Sequence, residues 1–191
     1  DHVHHPGAGG GIQKAAATRA RVMDVIEREL GYQTVKPFTN PKSFSSFLKY
    51  DCICLTDREL TWHEAVYMSA GLLKKRGFIE ESYISNMVSF IEEQGFYAVS
   101  DGSFALLHGK GVEGICQTSL SLLITGTPVR FGDKSVRVIF CLASKDSKEH
   151  IPAVVTLMRM VKTTGLIGQL EESRSEEEAY QSILNCEFEV L

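Results

Sequence analysis

Two histidines occupy positions where chemistry is expected. His108 closes the apolar run Phe104-Ala-Leu-Leu107 and is followed by Gly109-Lys-Gly111. His150 follows the longer apolar run Val136–Ala143 by a few residues and stands just ahead of Pro152 and a helical stripe. An imidazole titrates near pH ~6.5, so at neutral pH it serves as nucleophile or proton carrier. Gly109 and Gly111 let a backbone or a bulky group come close to His108. Two histidines, a loop of small residues and a helix N-terminus suit phosphoryl transfer. One ring nitrogen attacks, the second histidine stabilises the phosphoryl group, and backbone N–H groups take the remaining charge. The ordinary alternative for His108 is a histidine satisfied at a strand end. A two-histidine metal site would need a carboxylate, and Asp101, Asp146 and Glu149 are near in sequence. A hydrolase is disfavoured because there is no Gly-x-Ser-x-Gly elbow. Neither a Walker loop nor a Rossmann glycine fingerprint is present.

The elements that must hold these residues are readable from periodicity. Tyr97–Val99 and Ser103–Leu107 read as strands around an Asp101-Gly102 turn. Thr118–Thr125 is a strand, Gly126-Thr-Pro128 a turn, and Val136–Ala143 the most apolar and therefore central strand. Asp51–Leu55 is a further strand, preceded by a short helical stripe of Phe44, Phe47 and Leu48. Thr61 with Glu64 three residues on is a capping box that starts a helix running to about Lys75, with Gly77 beyond it. A second helix begins near Glu80 or Glu81 and closes at Gly95, with Ile84, Met87, Val88 and Ile91 as its stripe. Asp146 or Ser147 caps the next helix, and Pro152 fits only its first turn. Helices over Leu166–Leu170 and Ser175–Leu184 end the chain, the acidic run Glu176–Glu178 reading as a solvated first turn. The pattern predicts an α/β domain with a mixed central β-sheet flanked by helices on both faces. His108 and His150 would then share one edge of that sheet, where ligand crevices form.

Residues 1–11 read as a tag or flexible linker, 12–43 as an N-terminal helix (Ile12–Leu30) with a linker, and 44–191 as the main domain. The net charge of -4 and the lack of a basic run argue against nucleic-acid binding. Apolar stretches fall short of the ~20 residues that span a bilayer, and no signal-peptide pattern is seen. Five cysteines, three of them in apolar runs, fit reduced buried thiols in a cytoplasmic setting. Cys52-Ile-Cys54 lacks the two-residue spacing of a zinc or redox knuckle. Neither a metal nor a cofactor is expected.

Several segments, in order, resemble the IIA components of the sugar phosphotransferase system, in the mannitol/fructose (type 2) superfamily. These are Trp62-His-Glu-Ala-Val66, the segment from Gly77 through Tyr83-Ile to Met87, Gly95-Phe-Tyr-Ala-Val99, Phe104-Ala-Leu-Leu-His108, Thr118-Ser-Leu-Ser-Leu122, Pro128-Val-Arg-Phe-Gly132 and Glu149-His150. The set is most like the ascorbate-type subgroup and the IIA-like domains that end PRD-containing transcriptional regulators. The resemblance implies that His108 takes a phosphoryl group from phospho-HPr and passes it to a IIB partner. It implies that His150 assists, and that Gly109, Lys110 and Gly102 support the phosphate. Leu107 stands where the family has proline, and Lys110-Gly111 where it has Arg-Pro. Phe90-Ile-Glu-Glu93 supplies no counterpart to the mannitol-type arginine. The alternative is a regulatory domain whose phosphorylation state acts on other domains of a longer regulator. The segment Ile12–Ser43 and the start without methionine favour this, as a cut-out domain would. A third reading, an interaction module whose site no longer works, is opposed by the presence of both histidines.

Overall fold

The computed structural model describes residues 44–191 apart from 97, 101 and 147. The expected segments 1–11 and 12–43, with the helix Ile12–Leu30, lie outside the described residues, as do Tyr97, Asp101 and the cap candidate Ser147.

The elements run α1 (Phe44–Phe47), β1 (Leu48–Thr56), α2 (Trp62–Lys75), α3 (Glu81–Gln94), β2 (Val99–Ser100), β3 (Phe104–Leu107), β4 (Ser119–Phe131), β5 (Lys134–Ala143), α4 (Ile151–Thr163), α5 (Leu166–Glu172) and α6 (Glu176–Val190). The sheet order is β1-β4-β5-β3-β2, which puts β5 in the middle. β1 pairs parallel with β4 and β3 parallel with β5, while β4–β5 and β2–β3 are antiparallel. The expected mixed sheet is therefore present. Helices α2 and α3 pack on one face, and α1, α4, α5 and α6 on the other. Consecutive residues of β5 show the two faces. The Phe140 ring meets Phe44 and Phe104 edge-on at 6.3 and 6.2 Å, whereas Cys141 Sγ lies 3.7 Å from Met87 Sδ of α3.

Local signals explain the helix starts. Thr61 Oγ1 accepts from Glu64 N–H, and Glu64 returns a carboxylate oxygen to Thr61 N–H, so the capping box forms as expected. Ser175 caps α6 by accepting from Glu178 N–H.

Four expectations need correction. Gly126-Thr-Pro128 is no turn: β4 runs through it to Phe131, with a register shift between Ile124 and Val129. All three residues are exposed, and a bulge tolerates a proline that cannot donate to the ladder. The reversal comes at Gly132-Asp133 instead, between the paired residues Phe131 and Lys134, with Gly132 at φ 65. α6 extends six residues beyond Leu184, because Cys186 and Glu187 are also buried. Glu176 is not merely solvated, since its carboxylate accepts from Leu55 N–H of β1 at 3.1 Å. Lastly, the N-cap of α4 is His150. Asp146 serves the turn before it, its Oδ1 accepting from Lys148 and Glu149 N–H at 2.7 and 2.6 Å.

Among the described residues no single helix is long and apolar enough to cross a membrane. α4 and α5 would reach that length only together, and they meet at 82° with apolar residues buried on the sheet.

Candidate functional site

β3 and β5 are parallel neighbours with Leu107 opposite Cys141, so His108 and Ser144 leave the sheet at the same end. β4 runs antiparallel to β5 with Ser119 opposite Ala143, which brings Thr118 to that end as well. The topology thus gathers the His108 loop, the β5–α4 connection and the start of β4 beside the carboxyl ends of two strands.

The His108 loop is held by α3. Gly109 N–H donates to Tyr83 Oη at 2.9 Å, and that buried hydroxyl donates onward to the Leu142 carbonyl at 3.1 Å. Lys110 N–H donates to Asn86 Oδ1 and Asn86 Nδ2 donates back to the Lys110 carbonyl, both at 2.8 Å. The Phe90 ring lies 5.9 Å from the His108 ring. Tyr83, Asn86 and Phe90 recur at three and four residues, so one face of α3 presents all three. Gly109 is needed for closeness rather than for an unusual φ. A Cβ there would stand 2.7 Å from Asn86 Oδ1 and 2.9 Å from Tyr83 Cε2.

The His108 ring has a defined chemistry. Its Nδ1 sits 3.2 Å from the Gly109 carbonyl, which can only accept, so the proton is on Nδ1 and Nε2 carries the lone pair. Burial holds the imidazole below its ordinary pKa of 6.5, and the bond to Gly109 opposes this in part. The ring is therefore neutral and nucleophilic at pH 7.

His150 is tied by the same kind of logic. Ser144 Oγ donates to the Asp146 carbonyl, so its oxygen accepts from His150 Nδ1–H at 2.8 Å. Burial lowers the pKa of His150, and the charge of a protonated His108 lowers it further; the Asp146 carbonyl and carboxylate act the other way. The two histidines thus lie close enough to feel each other. Thr118, buried at the start of β4, accepts from Lys145 N–H and donates to Glu149 Oε2, both at 2.9 Å, which pins the turn ahead of His150.

The remaining expected site residues fare differently. Gly102, at φ 74 in the turn before β3, lies at the opposite end of that strand from His108. Five residues, 103–107, separate them, roughly 15–20 Å of chain. It shapes the strand's entry and does not reach a phosphate. The N–H groups of Gly109 and Lys110 are engaged by Tyr83 and Asn86, so they are not the expected phosphate cradle. The helix end is also largely spent: Ile151 N–H donates to the Lys148 carbonyl and Pro152 has none. Lys110 itself is exposed. Among the described residues no three His, Cys, Asp or Glu side chains are grouped to hold a metal ion.

The family described as "Phosphoenolpyruvate-dependent sugar phosphotransferase system, EIIA 2" matches residues 46–186, well over half of the chain. The chain belongs to this family. It is 25% identical over 127 residues to the ascorbate-specific PTS system EIIA component of Escherichia coli (strain K12), covering 64% of this chain and 82% of that protein. It is 25% identical over 119 residues to the mannitol-specific cryptic phosphotransferase enzyme IIA component of the same strain, covering 61% and 81%. Solved structures share the fold. The solution structure of that cryptic IIA protein superposes with a TM-score of 0.65 at 23% identity, covering 75% of this chain and 99% of that one. In the complex of IIA and phosphorylated IIB for mannitol from Escherichia coli, the matching chain gives a TM-score of 0.63 at 21% identity, covering 72% and 99%.

In this IIA domain the two histidines were visible in the sequence, but their anchors were not. Tyr83 sits one position off the stripe Ile84–Met87–Val88–Ile91 and is buried with it. A tyrosine on an apolar face is a signal that a buried hydroxyl seeks a partner. Asn86, Ser144 and Thr118 carried no such mark.

Proposed function

We propose that residues 44–191 act as a phosphohistidine carrier, in which His108 accepts a phosphoryl group from phospho-HPr and passes it to a IIB partner in the cytoplasm. The observation that carries this reading is the pair of imidazoles at one sheet edge, each with Nδ1 bound to a fixed oxygen. The lone pair of His108 Nε2 forms the new N–P bond while the N–P bond to the donor imidazole breaks, and that bonding pair stays on the donor nitrogen. Transfer to the IIB residue repeats the exchange in the forward direction. His150 is neutral beforehand. The incoming negative charge raises its proton affinity, so it takes a proton from solvent on Nε2 and donates it in a hydrogen bond to a phosphoryl oxygen. In this reading the exposed Lys110, two residues after His108, supplies further positive charge.

The test is phosphorylation by enzyme I, HPr and phosphoenolpyruvate, read by intact mass. The expected result is a gain of one phosphate, about 80 Da, that is acid-labile and absent in His108→Ala. His150→Ala should still be modified, but roughly 10- to 100-fold more slowly, as expected when a charged hydrogen bond to the transition state is lost. A wild-type protein that stays unmodified beside a labelled control IIA protein refutes the reading.

A further inference from the structure

One peptide unit joins the groups that orient His108. The carbonyl of the Gly109–Lys110 peptide accepts from His108 Nδ1–H at 3.2 Å, and the N–H of the same peptide donates to Asn86 Oδ1 at 2.8 Å. In a trans peptide these two groups point in opposite directions within one plane. Whatever holds the N–H therefore aims the carbonyl. Asn86 is itself fixed, because its Nδ2 donates to the Lys110 carbonyl at 2.8 Å, and it stands in the middle of α3. Behind it, Tyr83 holds the preceding amide to β5, so Gly109 stays in place and the orientation of the next peptide depends on Asn86.

We propose that Asn86 is a positioning residue that selects the tautomer of His108: by holding Lys110 N–H it presents the Gly109 carbonyl to Nδ1, which leaves the lone pair on Nε2. The kinetic consequence rests on the phosphocarrier reading, while the tautomer does not. Without Asn86 the peptide can rotate, the carbonyl leaves Nδ1, and a share of His108 takes the Nε2–H form. That form has no lone pair at the attacking nitrogen. The rate falls in proportion to the share lost. A single neutral hydrogen bond biases an equilibrium by roughly 2- to 12-fold.

The experiment uses the full chain with ring-labelled 15N-histidine and long-range 1H–15N correlation spectra at a pH above both histidine titrations. Wild type should show His108 with the proton on Nδ1. Asn86→Ala and Asn86→Leu should show the two ring nitrogens moving toward each other's shifts, with His150 signals unchanged. Initial rates of phosphoryl acceptance from phospho-HPr should fall with the Nδ1–H share in the same two variants, by up to about 2-fold when the wild type is about nine-tenths Nδ1–H. The proposal is overturned if either folded variant keeps His108 wholly in the Nδ1–H form, or if the wild type already carries its proton on Nε2. If the tautomer shifts but the wild type accepts no phosphoryl group, Asn86 keeps its role and the carrier reading falls.

Discussion

Substituting Gly109 by alanine tests the clamp without confounding backbone strain, because the residue does not adopt a positive φ. The new Cβ would meet Asn86 Oδ1 at 2.7 Å, Tyr83 Cε2 at 2.9 Å and Met87 Cγ at 3.2 Å. Ordinary contact begins near ~3.4 Å, so Asn86 or the loop must retreat by about 0.7 Å. That retreat stretches the 2.8 Å bond from Lys110 N–H to Asn86 Oδ1 to about 3.5 Å, beyond a useful hydrogen bond. Tyr83 cannot give way instead, being buried with its hydroxyl bound to Gly109 and Leu142. Overpacking costs about 1–3 kcal/mol, and loss of the reciprocal pair with Asn86 about 1 kcal/mol more. The expected total is about 2–4 kcal/mol. For a domain of this size that lowers Tm by about 5–15 °C. Differential scanning calorimetry reads the first quantity, and amide exchange at Gly109 and Lys110 shows whether the loop has come away from α3. A Gly109→Ala protein that melts within about 1 °C of wild type, with both amides still protected, would refute the claim that α3 holds this loop by contact.

Burial holds both His108 and His150 below 6.5, so the folded state resists protonation more than the unfolded chain does. Their contribution to stability is complete above pH ~6.5 and declines as pH falls through the lower folded values. Urea titrations should show that decline, and His108→Gln with His150→Gln should flatten it; an unchanged slope would contradict the burial argument. The acid limb of phosphoryl acceptance should likewise lie below 6.5, since His108 remains neutral further into acid than a solvated histidine. Gly71 lies inside α2 with nothing within 4 Å of an added Cβ, so Gly71→Ala should raise stability by about 0.5–1 kcal/mol, measured by denaturant midpoint.

Much of the fold was legible because its signals are local. The capping box at Thr61 and Glu64, the stripe from Ile84 to Ile91 and the unbroken apolar run of β5 each lie within a few turns or one strand, where period and cap chemistry act directly. The misread turn at Gly126-Thr-Pro128 shows the limit. Glycine and proline mark a departure from regular backbone, and a bulge inside a long hairpin satisfies that mark as well as a reversal does. Only pairing with β5 distinguishes the two.

The same boundary runs through the site. The sequence alone determined that an imidazole would follow an apolar strand and be flanked by small residues, and that a second would stand at a helix start. Those are properties of neighbours along the chain. Which ring nitrogen holds the proton, and which backbone amides are already engaged, was decided by tertiary structure. Tyr83 and Asn86 reach Gly109 and Lys110 across about 25 residues, and Ser144 reaches His150 only because the turn after β5 folds back. A hydrogen bond depends on position to within a few tenths of an ångström, and no pattern of residue types encodes that until the helix is packed on its sheet.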